Sequence, residues 1–246
     1  MSTPAESTPT DAALRFNLYG RRLSRALRPA QAQRFETLMP RLALTLPRRG
    51  YCNFSHIFTG AKAGYALEIG FGAGEHLIAR AAARPDWGFI GAEFYRNGLA
   101  SALYGIEQQG SRLDNIRLFE GDARLVIEKL PDDLLSAVYI LFPDPWPKLR
   151  QWRRRLLSGA TFAMLARVMK RGAMLYLASD HPDYQSWIMR ELLASPFFDW
   201  QPRGADDWRQ RPADWPATRY ERKALREGRP CLYLQATRNA KECQDG

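Results

Sequence analysis

The stretch Glu68–His76 reads EIGFGAGEH, with Gly70, Gly72 and Gly74 at alternate positions. It closes the apolar run YALEIG (Tyr65–Gly70) and leads into a helix-like segment. Glycines at such a junction let the backbone turn tightly and let a ligand come close to it. A dinucleotide-binding turn spaces its glycines G-x-G-x-x-G, but the position that would complete that spacing is Glu75. Glu68 also lies inside the motif, where it would repel a pyrophosphate. The turn therefore suits a cationic ligand without phosphates, and its spacing disfavours an NAD-dependent oxidoreductase.

Outward from the turn, short apolar runs alternate with helical stretches. The runs are WGFIGAE (Trp87–Glu93), IRLFEGD (Ile116–Asp122), AVYILF (Ala137–Phe142) and AMLYLAS (Ala173–Ser179). Continuous apolar strands of this length suit a sheet buried on both faces. After Arg153, Leu157, Met164, Leu165 and Val168 fall on one side of a helical projection. The alternation predicts an α/β fold, a doubly wound, mostly parallel, Rossmann-like sheet. CLYLQATR (Cys231–Arg238) reads as one more strand, antiparallel and at an edge.

In open parallel sheets, ligands bind beyond the carboxyl ends of the strands. Glu68 and Gly70 close the first strand, Glu93 the second, Asp122 the third, Asp144 the fourth and Asp180 the fifth. Any one of these acids reads equally as a solvated loop residue or a helix cap; the whole row points to a site. S-adenosylmethionine, a sulfonium with an ammonium and a ribose diol, matches it. Glu68 and the turn at Gly70 and Gly72 suit its methionine end, Glu93 its ribose hydroxyls and Asp122 its adenine amine.

The loop after the fourth strand would then face the reactive methyl. It reads PDPWP (Pro143–Pro147), and its prolines limit how the backbone can move. Asp144 is the catalytic candidate there. Trp146 is either a stacking surface for a base or a plug in the core. The loop runs directly into KLRQWRRR (Lys148–Arg155), in which Arg150, Arg153, Arg154 and Arg155 read as phosphate contacts.

The totals agree with a polyanionic partner. The 246 residues carry 36 Lys and Arg against 26 Asp and Glu, a net charge of +10. Nucleic acid is the first partner this suggests and an anionic membrane the second. Cys52, Cys231 and Cys243 form no CxxC pair, and His56, His76 and His181 are scattered. Neither a disulfide framework nor a metal site is expected, and a reducing cytoplasm fits best. No apolar run approaches the roughly 18 residues of a membrane span, and Met1–Asp11 lacks the apolar core of a signal peptide. The chain divides into a disordered tail (1–14), a basic helical extension (15–62), a catalytic domain (63–239) and a C-terminal tail (240–246).

EIGFGAG, FPDPWPK, the arginine run and TRYE (Thr218–Glu221) occur here in one order. In these motifs the chain resembles the bacterial tRNA (guanine-N7)-methyltransferases, over roughly Arg15 to Arg238. The resemblance implies a class I methyltransferase fold and methyl transfer from S-adenosylmethionine to N7 of a variable-loop guanosine, position 46, in tRNA. It implies Glu68, Glu93, Asp122 and Asp144 as cofactor-contacting acids, with Asp144 also catalytic. Lys148, Asp180, Thr218, Arg219, Tyr220 and Glu221 are the implied substrate contacts. Leu149, Gln151 and Trp152 depart from the residues usual in that family.

N7 of guanine has an available lone pair, so no proton need be removed before it attacks. Alignment and preorganised charge can carry such a reaction. Asp144 could stabilise the charge that develops on the ring or hydrogen-bond the guanine edge. Two other readings stand beside this one. Amino-methyltransferases of adenine or cytosine commonly carry Asn/Asp-Pro-Pro-aromatic after the fourth strand, whereas here only Pro145 separates Asp144 from Trp146. A noncatalytic RNA-binding protein on a methyltransferase scaffold would not need the cofactor acids. Whether the chain is a monomer or a homodimer is open at this level.

Overall fold

The structure is a computed structural model that describes residues 26–60, 62–110 and 113–242. The tail expected at 1–14, residues 15–25 of the extension and residues 243–246 lie outside the described residues.

Each apolar run forms a strand. They are β1 (Gly64–Ile69), β2 (Trp87–Glu93), β3 (Ile116–Glu120), β4 (Leu135–Leu141) and β5 (Met169–Ser179). A two-residue β6 (Phe198–Asp199) and β7 (Leu232–Arg238) complete a sheet of order β3-β2-β1-β4-β5-β7-β6. The first five strands are parallel and β7 runs antiparallel to β5. The expected antiparallel strand is therefore present, but it is not at the edge. The short β6 pairs beyond it through Phe198 and Asp199.

Registered rows explain why the strands are apolar without interruption. Leu67 stands beside Ile90 and Val138, and Val138 beside Leu175. All four are fully buried, and such burial stabilises by roughly 1.5–3 kcal/mol per side chain relative to exposure. The alternate residues Ala66, Phe89 and Ala137 are buried in the other core, so both faces of the sheet are covered.

Helices fill those faces: α4 (Glu75–Ala83), α5 (Arg96–Gln108), α6 (Ala123–Lys129), α7 (Gly159–Val168) and α8 (Pro182–Ala194). Ser158 caps α7 by accepting from the Thr161 amide. Leu165 and Val168 lie buried on the apolar side of α7 as the periodicity predicts, and Leu157 is buried just before it. The short α9 (Asp206–Arg209) and the eight-residue α10 (Arg219–Arg226) precede β7.

Within the described part of the extension, α1 (Pro29–Thr37), α2 (Met39–Leu42) and α3 (Phe54–Ile57) are joined by irregular chain. This segment is built into the domain. The Leu44 amide donates to the Leu118 carbonyl at the β3 edge over 2.8 Å. Leu42, Leu44, Phe54 and Phe58 are buried in the two cores. Among the described residues, no helix is long and apolar enough to cross a membrane.

From β1 the connections wind one way to β2 and β3 and the other way to β4 and β5. The crevice where the direction reverses lies between the carboxyl ends of β1 and β4, the position at which such sheets bind ligands.

Candidate active site

The glycine turn opens this crevice. Gly70, Gly72 and Gly74 have φ of +71°, +58° and +80°, a region that side chains with a Cβ rarely adopt. At Gly70 a Cβ would project into open space with nothing within 4 Å, so the bare backbone forms one wall of a cradle. At Gly72 a Cβ would stand 3.1 Å from the Tyr220 ring. The turn therefore meets open space at one glycine and an aromatic ring at the next.

A cleft of about 550 Å³ begins at this turn. It is lined by Gly70 and Ala123, by the acids Glu93, Asp122 and Asp144, by the aromatics Phe142, Trp146 and Tyr220, and by Arg124, Arg153, Arg154 and Arg155. Glu93 is held at both oxygens. One carboxylate oxygen accepts from the Gly72 amide over 2.7 Å and the other from the Tyr95 amide over 2.8 Å. It thus ties the end of β2 to the glycine turn while bordering the cleft. Burial pushes its carboxyl above the ordinary value, against the opposing effect of those backbone donors.

Asp122 plays two parts. It caps α6 by accepting from the Arg124 amide, and its carboxylate also holds the Arg124 guanidinium at 3.0 Å. The helix-cap reading of this acid is therefore correct, and the side chain borders the cleft as well. Asp144 is exposed at the mouth, yet the surrounding protein removes enough water to raise its carboxyl above the usual range.

The loop that carries Asp144 is strained. Phe142 at φ +54° and Trp146 at φ +42° bracket it, and a residue other than glycine costs on the order of 1–3 kcal/mol in such a conformation. Trp146 does not plug the core: it is partly exposed on the cleft wall, with the Arg154 guanidinium 5.0 Å over its ring.

Other sequence-predicted residues separate. Glu68 is buried beneath the turn, hydrogen-bonded to His76 Nδ1 at 2.8 Å, and does not line the cleft. Asp180 pairs with Arg229 at 2.8 Å, also outside the cleft lining. Thr218 and Glu221 are buried. Thr218 caps α10 through the Glu221 amide, and the Glu221 carboxylate accepts from the Tyr233 hydroxyl and pairs with Arg211. T-x-x-E is a capping signature in its own right. Arg219 and Tyr220, between them, are exposed, and Tyr220 lines the cleft.

The arginine run divides. Leu149–Arg154 forms a 3-10 helix on which Arg150 and Arg153 are exposed and Arg154 is partly buried, and Lys148, just before it, is exposed too. Arg155 is only 5% exposed. Its guanidinium donates to the Pro145 carbonyl and sits among the rings of Trp152, Tyr184 and Trp187. Caged there, it borders the cleft and is not on the exposed face that Arg150 and Arg153 present. Two further residues matter here that sequence reasoning missed. Gly98 packs α5 against the turn, where a Cβ would come within 2.6 Å of the Gly72 carbonyl oxygen. Arg124 closes the Asp122 side of the cleft.

The strand order, the reversed β7 and the acid-lined glycine turn together define a class I methyltransferase. A solved antibiotic-related methyltransferase superposes with a TM-score of 0.54 at 16% identity, covering 81% of this chain and 98% of that one. The 16S rRNA methyltransferase KamB superposes at 0.53 and 14% identity, covering 78% and 95%. Both likenesses concern the fold alone. Residues 62–234 match the family model described as "Putative methyltransferase". The tRNA (guanine-N(7)-)-methyltransferase of Rhodospirillum rubrum is 43% identical over 243 residues, 97% of this chain and 92% of that protein. Its counterpart in Brucella anthropi is 41% identical over 218 residues, covering 89% and 93%. The chain belongs to the tRNA (guanine-N(7)-)-methyltransferase family.

Proposed function

We propose that this protein methylates N7 of guanosine in tRNA, at position 46 of the variable loop, using S-adenosylmethionine. The observation that carries the reading is that the strained Asp144–Trp146 loop and the Glu93-tied glycine turn border one cleft. The names of relatives more than 40% identical over most of the chain supply the substrate class.

The residues present fit the cofactor. The cradle at Gly70 is open backbone, and the carboxylates of Glu93, Asp122 and Asp144 line the cleft as acceptors for the ribose hydroxyls, the adenine amine and the ammonium group. Glu93 and Asp122 would hold it, with Gly70 and Gly72 beneath. When bound, S-adenosylmethionine supplies an electrophilic methyl group on sulfur.

The chain's own work is positioning and charge. Guanine N7 attacks without losing a proton, so no general base is required. Asp144, at the mouth, would accept from the guanine edge or offset the positive charge that the ring acquires. Phe142 and Trp146 hold the loop in a conformation that presents Asp144 to the cleft. Lys148, Arg150, Arg153 and Arg154 would meet phosphates, and Asp180, Thr218, Arg219, Tyr220 and Glu221 would support the substrate side. In this reading Asp180, Thr218 and Glu221 act through the partners they hold. Glu68 would act from beneath the turn. The buried free thiols of Cys52 and Cys231 suit a reducing cytoplasm.

Incubation with labelled S-adenosylmethionine and unmodified tRNA, followed by nucleoside analysis, tests the reading. The expected product is 7-methylguanosine in the variable loop. Label in another nucleoside, or none in any RNA, would overturn it.

A further inference from the structure

The wall between the active cleft and a second groove is only a few residues thick. That groove, about 830 Å³, runs between α1, α4 and α5 behind the glycine turn. Gly72 and Tyr220 border the cleft, whereas their neighbours Ala73, Glu75 and Arg219 border the groove. The wall is thus the glycine turn pressed against the first turn of α10.

Two anchors hold α10 there. The inner one is buried: Thr218 caps the helix, and Glu221 accepts from Tyr233 and pairs with Arg211 at 2.9 Å. It fixes the body of the helix. The outer one is Glu75, the first residue of α4. Its carboxylate accepts from Arg219 Nε at 3.1 Å and from the Arg219 backbone amide at 3.4 Å, and lies 3.6 Å from Arg222. One acid therefore joins the glycine-turn helix to the residue preceding Tyr220. A carboxylate at this place is also favoured by the amino-terminal dipoles of both helices.

We propose that Glu75 is a positioning residue for the reaction: by holding Arg219 it keeps Tyr220 against Gly72 and sets the wall of the cofactor cleft. The ion pair is partly solvated, with the Arg219 side chain 50% exposed and that of Glu75 29%. Exposed pairs contribute little to global stability, so the effect belongs to the site. The glycine motif does not need an acid at position 75 for its turn, because the glycines already provide the backbone freedom. The inference rests on the reading of the cleft as a cofactor site.

Glu75→Asp separates the two roles of this acid. Aspartate keeps a negative charge at the start of α4 but withdraws the carboxylate by one methylene from Arg219. The first readout needs no ligand. Amide hydrogen exchange at Arg219, whose amide donates to Glu75, should accelerate in Glu75→Asp, while the melting temperature stays within about 2 °C of wild type. The second is S-adenosylmethionine affinity by direct titration of the full chain, which should weaken about three- to tenfold in both Glu75→Asp and Glu75→Ala. In a Tyr220→Ala background, Glu75→Asp should add little further loss. Unchanged exchange at Arg219 overturns the proposal, as does full additivity with Tyr220→Ala. A wild-type protein that fails to bind S-adenosylmethionine would instead overturn the proposed function, and the exchange measurement would still decide the role of Glu75.

Discussion

Arg155 Nε donates to the carbonyl of Pro145 over 2.9 Å, tying a buried guanidinium to the loop that presents Asp144. A second nitrogen reaches the Trp146 carbonyl at 3.5 Å. Because Trp146 holds a left-handed backbone, this tether opposes relaxation of the loop. Lysine has no fork and no flat face for the aromatic cage. Arg155→Lys should therefore cost about 1–3 kcal/mol of stability, the range for an unsatisfied buried polar group. Turnover should fall more than tRNA affinity does. Thermal melting, single-turnover methylation and a salt titration of tRNA binding check this together. A shallower salt slope with unchanged melting would return Arg155 to the RNA surface.

Arg150 and Arg153 are the exposed arginines of the run. Replacing both with glutamine should flatten the dependence of log tRNA affinity on log salt by about 1.5 to 2 units, at roughly 0.7–0.9 per phosphate contact. S-adenosylmethionine affinity should hold. Equal slopes in wild type and double variant would reduce the run to a solvated surface.

Gly98 carries a sharp steric expectation. An added methyl would come within 2.6 Å of the Gly72 carbonyl oxygen, which is backbone and has little room to retreat. Gly98→Ala should cost about 1–3 kcal/mol, as overpacking does, and should weaken cofactor binding by displacing the turn. Calorimetric titration beside a melting curve reads both effects. Wild-type values in both would show that α5 can slide outward.

The cleft acids impose a pH dependence. Burial raises Glu93 and Asp144 above their ordinary values of 4.5 and 3.8. Between those values and the raised ones, the folded chain binds more protons than the unfolded chain, so these two groups make stability fall as pH rises through that window. Cofactor binding has the opposite sign, because the ionised acids attract the cation. The acid limb of S-adenosylmethionine affinity should therefore lie above the normal carboxylate range. Glu93→Gln, which retains an oxygen for one backbone donor, should weaken binding and flatten that limb. A limb at the ordinary carboxylate position, identical in the variant, would remove Glu93 from binding.

The sheet was legible because its strands are buried on both faces, and that condition writes itself into the chain as continuous apolar runs between Tyr65 and Ser179. The glycine turn and the acids after each strand were legible for a similar reason: the fold demands them at fixed places along the chain. What the sequence could not determine was the direction each side chain takes once packed. Arg153 and Arg155 belong to one basic run, yet one is exposed and the other caged among aromatics. Glu68 and Glu93 both lie near strand ends, yet one is hydrogen-bonded to His76 beneath the turn while the other borders the cleft. The place of β7 depends on Phe198, a strand too short to announce itself. Meetings such as Glu75 with Arg219, 144 residues apart, exist only after folding. Composition and periodicity record which residues must avoid water. Which polar groups find one another is decided by chain segments distant in sequence, and so by the tertiary structure alone.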